Sequence, residues 1–142
     1  MYRNSMRVEF PNNSDNERFA RSVAAAFVLE LDPTVDQLSE IKTAVSEAVT
    51  NAIIHGYDGT DGIVTMEGNI YDDTVEFRIS DNGVGIPDIR RAREPLFTGK
   101  PEMERSGMGF TIMETFMDAM EVESEVGKGT KITLSKQIKQ VK

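Results

Sequence analysis

Glu47-Ala48-Val49-Thr50-Asn51-Ala52-Ile53-Ile54-His55-Gly56 is the stretch on which the reading of this chain turns. It has a helical pattern and ends on a glycine, the residue that most readily takes the left-handed turn closing a helix. Glu47 and Asn51 are four residues apart, so they share one helix face about 6 Å apart along the axis. One carboxylate and one amide oxygen in that relation can serve a hard cation and accept a proton. Mg2+ suits such a site, because it takes only a few oxygens from protein and completes its shell with phosphates and water. The same spacing also describes the polar side of a solvated helix.

Working outward, Thr34-Val35-Asp36-Gln37 is a capping box that opens this helix, and Leu38, Ile41, Val45, Ala48, Val49 and Ala52 give it a buried side. Upstream, Ser14-Asp15-Asn16-Glu17 predicts a second box and a helix to Leu31 with Phe19, Val23, Phe27 and Leu31 on one face; Asp32-Pro33 ends it. Met6 to Phe10 alternates and predicts a strand closed by Pro11. Downstream, Ile63 to Tyr71 and Val75 to Ser80 predict two strands joined at Asp72-Asp73. Asp81 to Ser106 is rich in glycine, proline and charge. It reads as a long loop with one short helix near Pro87 to Arg93, and a loop of that length in a small domain is usually functional. Gly107 to Met117 is helical again, and Val122 to Val126 with Lys131 to Ile138 predicts a hairpin around Gly127-Lys128-Gly129. The sum is one α+β domain, a two-layer α/β sandwich with helices on one face of a mostly antiparallel sheet.

The chain has 142 residues and no cysteine, which excludes disulfides and thiolate metal sites. Its 16 basic residues against 24 acidic ones give a net charge of −8, a poor match to a phosphate backbone, so no direct nucleic-acid contact is expected. Lys136, Lys139 and Lys142 read as a solvated basic tail over 136–142. The longest apolar run, Val23 to Leu29, is far short of the roughly 20 residues of a membrane span. The amino end lacks a signal-peptide core, so a soluble cytoplasmic protein is expected. His55 is the only histidine, which rules out histidine triads and leaves it a structural reading at the helix end. Met113, Met117 and Met120 recur at helical spacing and read as core.

Two further segments carry chemistry. Asp81-Asn82-Gly83-Val84-Gly85 follows an apolar strand. A carboxylate there can accept a hydrogen bond from an exocyclic amine such as that of adenine, and Gly83 and Gly85 let backbone approach a flat ligand. The same residues are also strong turn formers. Arg105-Ser106-Gly107-Met108-Gly109-Phe110 stands at a helix start, where free amides favour anions and Arg105 can offer a fork to a terminal phosphate. No P-loop segment is present, and no parallel strand–helix–strand unit surrounds the glycines of the Asp81 segment.

Taken in order, these segments resemble the ATPase superfamily shared by DNA gyrase, heat-shock chaperones, mismatch-repair proteins and histidine kinases. The stretch from Glu47 to Gly56 is similar to the version in anti-sigma serine kinases. Pro95-Leu96-Phe97-Thr98-Gly99-Lys100-Pro101-Glu102, Glu104 to Glu114, Ile41-Lys42-Thr43 and Val122-Glu123-Ser124-Glu125-Val126 extend the resemblance, over almost the whole chain, to the sporulation members of that family. The resemblance implies the Bergerat ATP-binding fold, ATP or ADP with Mg2+, and transfer of phosphate to a protein serine. It makes Asn51 the Mg2+ ligand and Glu47 the base. Asp81 would hold the adenine amine, with Gly83 and Gly85 beside the base and Thr130 nearby. Lys100, Arg105, Gly107 and Gly109 would belong to a lid over the phosphates. Gly99 departs from the family, which often has threonine there, and loosens that lid. The implied partners are a sigma factor, held in part through Arg21 on the polar side of the first helix, an anti-anti-sigma antagonist as substrate, and a second copy in a homodimer. The alternatives are a sequestering module of a stress-response anti-sigma factor, with ATP as a conformational cofactor, and a histidine-kinase-like ATP domain. The last is disfavoured, since no helical hairpin with a phosphorylatable histidine precedes the domain in this sequence.

Overall fold

The computed structural model describes residues 2–57, 60–94 and 108–138. Five strands form one antiparallel sheet in the order β1-β2-β3-β5-β4. They are β1 (Tyr2–Pro11), β2 (Ile63–Tyr71), β3 (Thr74–Asp81), β4 (Ala119–Glu125) and β5 (Gly129–Gln137). Alternation decides which face is covered. Val64, Met66 and Ile70 of β2, Val75, Phe77 and Ile79 of β3, and Ile132 and Leu134 of β5 are buried on one side. Glu67, Glu76, Arg78 and Lys131 stand on the other, where Arg78 Nε lies 3.1 Å from Glu76 Oε1. A half-wet antiparallel sheet gives this clean division. The hairpin between β2 and β3 turns at Asp72-Asp73, with Tyr71 opposite Thr74 and Asp72 at φ 50°.

The buried face is covered by α1 (Asn16–Val28), α2 (Val35–Asn51) and α4 (Gly109–Phe116); α3 (Ile89–Ala92) is a single exposed turn in the loop after β3. The Thr34 box forms as expected. Thr34 Oγ1 accepts from the Gln37 amide at 3.1 Å, and Gln37 Oε1 accepts from the Thr34 amide at 2.8 Å. The Ser14 box does not. The residue before α1 is Asp15, whose side chain makes no cap, and the Asn13 side chain accepts from the Asp15 amide at 2.9 Å instead. Glu17, freed from the box, pairs with Arg21 one turn on. The expected apolar face of α1 is also rotated. Ala20, Ala24, Val28 and Leu31 are the buried positions, while Phe19 is 49% exposed. The two alanines let α1 lie close against α2, and the bulky phenylalanines move to the flank, where Phe27 meets Phe77 edge-on at 6.2 Å. Asp32 ends this run in the left-handed region, its amide returning to Leu29 O at 3.0 Å.

Met113 and Met117 are in the core and Met120 packs against it, but α4 ends at Phe116 and Met120 lies in β4, so the core reading holds and the helical spacing does not extend to Met120. Lys136 does not belong to a tail. It lies within β5, its side chain is 12% exposed, and Nζ donates to Phe116 O at 2.8 Å while standing 3.5 Å from Glu40 Oε2. That one ammonium ties α2, the end of α4 and β5 together. Lys139 and Lys142 fall outside the described residues.

Candidate functional site

The α-helical ladder of α2 runs to Asn51 and then widens into a π-turn, Ala52–Gly56. Interruptions of this kind inside helices are common at functional sites. Glu47 and Asn51 sit on the last turn of the regular helix, both half-buried. Gly109 opens α4 opposite them. A Cβ built on Gly109 would lie 3.2 Å from Glu47 Oε2, so the carboxylate faces the amino end of the second helix. The structure therefore brings Glu47 and Gly109, 62 positions apart in sequence (109 − 47), to one place.

Asp81 closes β3 and is buried at 6% exposure, with Thr130 of β5 directly opposite and equally buried. Desolvation pushes the Asp81 carboxyl above its ordinary value of 3.8, and hydrogen bonds from the backbone amides of Gly83 and Thr130 oppose that shift. Gly83 N donates to Asp81 Oδ1 at 3.0 Å. Thr130 Oγ1 is 2.8 Å from Ser124 Oγ, which also accepts from the Ile86 amide at 2.7 Å. A carboxylate offers about four lone-pair positions, so two backbone amides leave acceptor capacity for an incoming amine.

Within the chain, the glycines of this loop make close backbone contacts. A Cβ on Gly83 would fall 1.5 Å from Gly56 O, and one on Gly85, at φ 78°, would fall 2.3 Å from Glu125 O. Both positions bring backbone against backbone, which holds the loop to the π-turn on one side and to β4 on the other. Val84 N donates to Gly56 O at 2.7 Å and Gly127 N to Val84 O at 2.8 Å across the same two seams. Gly129, at φ 111°, lets β5 start beside Asp81 O, which its own Cβ would meet at 2.0 Å.

Four residues escaped the sequence reading. Gly56, read as a helix stop, is also the wall of Asp81, since a Cβ there would lie 2.7 Å from Asp81 Cγ. Tyr57 is buried, donates to Ile63 O at 2.5 Å and accepts from Asn82 N at 2.9 Å. Gly62 makes room for its ring. Ser124 stands behind Thr130. The sequence signal for Tyr57 was only its place directly after the Glu47–Gly56 stretch. Arg21 is remote from this cluster on α1, half-exposed, with Nε 3.4 Å from Glu17 Oε2. Lys100, Arg105 and Gly107 lie outside the described residues.

A family model described as a histidine kinase-like ATPase domain matches residues 10–136. The anti-sigma F factor of Geobacillus kaustophilus is 62% identical over 137 residues, which is 96% of this chain and 94% of that one. The anti-sigma F factor of Clostridium kluyveri is 57% identical over 136 residues and 96% of each chain. Among solved structures, a chain with RsbU and RsbW domains from Mycobacterium tuberculosis superposes at a TM-score of 0.71 with 17% identity, over 97% of this chain and 33% of that one. The catalytic domain of the histidine kinase ThkA superposes at 0.55 with 17% identity, over 94% and 96%. These two likenesses show the fold. The described helices include none long and apolar enough to cross a membrane.

Proposed function

The chain belongs to the histidine kinase-like ATPase domains and, among them, to the anti-sigma F factors, and from that membership we propose an ATP-dependent serine kinase that also holds a sigma factor. The observation that carries the enzymatic half is the Glu47 carboxylate set against the start of α4, one helical turn from Asn51. A module that only sequesters a partner has no use for a carboxylate in that position.

The residues present fit Mg-ATP. Asp81 is a buried acceptor with capacity left for the adenine amine, and Thr130 lies beside it. The Asn51 amide oxygen is a hard donor of the kind Mg2+ takes from protein. Gly109 stands at the amino end of an eight-residue helix, where free amides favour phosphate. Lys100, Arg105 and Gly107 complete the phosphate side by the family resemblance. When bound, the nucleotide supplies a phosphoryl group whose transfer depends on positioning and charge stabilisation. Glu47 accepts the proton of the substrate serine hydroxyl as that oxygen becomes the nucleophile. The substrate is an anti-anti-sigma protein, and the nucleotide state selects which partner is held. Arg21 belongs to the sigma-binding surface, where a partner must compete with Glu17 for it. Cytoplasmic location and a homodimer rest on the resemblance, and a solution mass of one chain would count against the dimer.

The deciding experiment incubates the protein with labelled Mg-ATP and candidate antagonist proteins. Label on a serine of one of them is expected. Glu47→Gln should slow that transfer by at least about 100-fold while calorimetry shows ATP bound as before. Transfer persisting near the normal rate in Glu47→Gln removes the base, and no transfer by the unaltered protein leaves a sequestering module.

A further inference from the structure

We propose that Tyr57 is a positioning residue for base recognition, holding the loop that follows Asp81, and through its Gly83 amide the Asp81 carboxylate, in binding shape before any nucleotide arrives. The inference rests on the assignment of Asp81 to the adenine amine. Three consecutive amides after β3 are each fixed by a different partner. Asn82 N donates to the Tyr57 phenol oxygen, Gly83 N to the Asp81 carboxylate, and Val84 N to Gly56 O. The second of these bonds sets the carboxylate, but it joins residues two apart in the chain and ties the loop only to the end of β3 that it leaves. The other two tie the loop to something outside it, and both anchors, Gly56 and Tyr57, belong to the end of the π-turn that follows Asn51.

Tyr57 is itself immobilised. Its hydroxyl spends its one proton on Ile63 O, at the start of β2, so its oxygen faces Asn82 as an acceptor. The ring fills the space that a side chain at Gly62 would occupy, 2.2 Å from a Cβ built there. The backbone of Tyr57 is held in turn by Thr60, whose amide donates to Tyr57 O at 2.9 Å. The phenol thus links three pieces of chain, the Asn51 helix, the first residue of β2 and the Asp81 loop. A hydroxyl used this way fixes the direction of a neighbouring carboxylate without touching the ligand. Preorganisation of that kind raises affinity by removing an ordering cost from the binding step.

The test compares ATP with inosine triphosphate, which carries a carbonyl where adenine has its amine, by calorimetry in the presence of Mg2+. The unaltered protein should prefer ATP, and Asp81→Asn should remove the preference. Tyr57→Phe should weaken ATP about five- to tenfold, the size of one hydrogen bond, and leave inosine triphosphate unchanged. Equal weakening of both nucleotides would reduce Tyr57 to a structural anchor and overturn the inference. If the unaltered protein itself draws no distinction, the assignment of Asp81 fails instead, so the two failures are separable. Should Tyr57→Phe not fold, hydrogen exchange on the unaltered, nucleotide-free protein decides the matter. A protected Asn82 amide supports a loop held in advance; an amide that becomes protected only when ATP is added overturns it.

Discussion

Asp81 is pulled in two directions, and which prevails can be measured. Burial drives its carboxyl upward from 3.8, and the amides of Gly83 and Thr130 draw it back, with burial the larger. Between 3.8 and the raised value the folded protein binds more protons than the unfolded one, so the stability this group contributes falls as pH rises through that window. Asparagine has no such proton to lose. The nucleotide-free protein should therefore lose stability relative to Asp81→Asn as pH climbs from 3.8, with the gap constant once Asp81 is fully ionised. Urea melts of the two proteins across that range test this, and an unaltered protein that gains stability relative to Asp81→Asn with rising pH would mean that the amides outweigh burial. The same substitution should weaken ATP by roughly 10- to 100-fold, the range for a hydrogen bond to a charged group. Destabilising when empty and necessary when filled is the pattern of a residue kept for binding.

At the scale of elements, two four-residue segments with the same capping pattern behave differently, and the difference predicts their mutants. Thr34 and Gln37 exchange both hydrogen bonds, so Thr34→Ala should cost about 1 kcal/mol of unfolding free energy. Ser14 makes no cap at the start of α1, and Ser14→Ala should stay within about 0.5 kcal/mol of the unaltered protein. Equal losses in denaturant melts would contradict the geometry. The contrast shows where a sequence is readable. Each helix and strand was legible because periodicity and turn residues are local, and even the short helix near Asp88 carries its own cap, with the Asp88 side chain accepting from the Arg91 amide. Choosing between Ser14 and Asn13, or between Phe19 and Ala20 as the inward position, depends on how closely α1 approaches α2, which no local pattern encodes. The site divides the same way. Glu47, Asn51, Asp81 and Gly109 stood out by residue type and spacing. Tyr57 and Ser124 act through atoms of other segments and Gly62 by leaving room for the Tyr57 ring, so beyond the place of Tyr57 after the Glu47–Gly56 stretch nothing local marked them. Gly83 and Gly85 were legible as close approaches, and within the chain what they approach is other backbone.

For the molecule as a whole, the candidate site is where the ends of four elements converge on one face of the fold. Asn51 ends α2, Asp81 ends β3, Thr130 is the second residue of β5 and Gly109 begins α4. A nucleotide bound to all four would add a bridge that the empty protein lacks, and a ligand that binds only the folded state stabilises it by mass action. At 100 times its dissociation constant ATP with Mg2+ should add about 2.7 kcal/mol, which for a domain of this size raises the melting temperature by roughly 9 °C. Chelating the metal with EDTA should remove most of that gain if Asn51 reaches the phosphates through Mg2+, whereas a contact made by the base alone would survive chelation. Asp81→Asn should lose the part that chelation leaves. Hydrogen exchange should place the added protection in Met108 to Phe116, because α4 rests on α2 and on its Lys136 tie to β5, while its amino end awaits the phosphates. A melting temperature indifferent to Mg-ATP would mean that these four elements are not joined by one ligand. Melting that responds to ATP but not to EDTA would keep the base pocket and remove the metal.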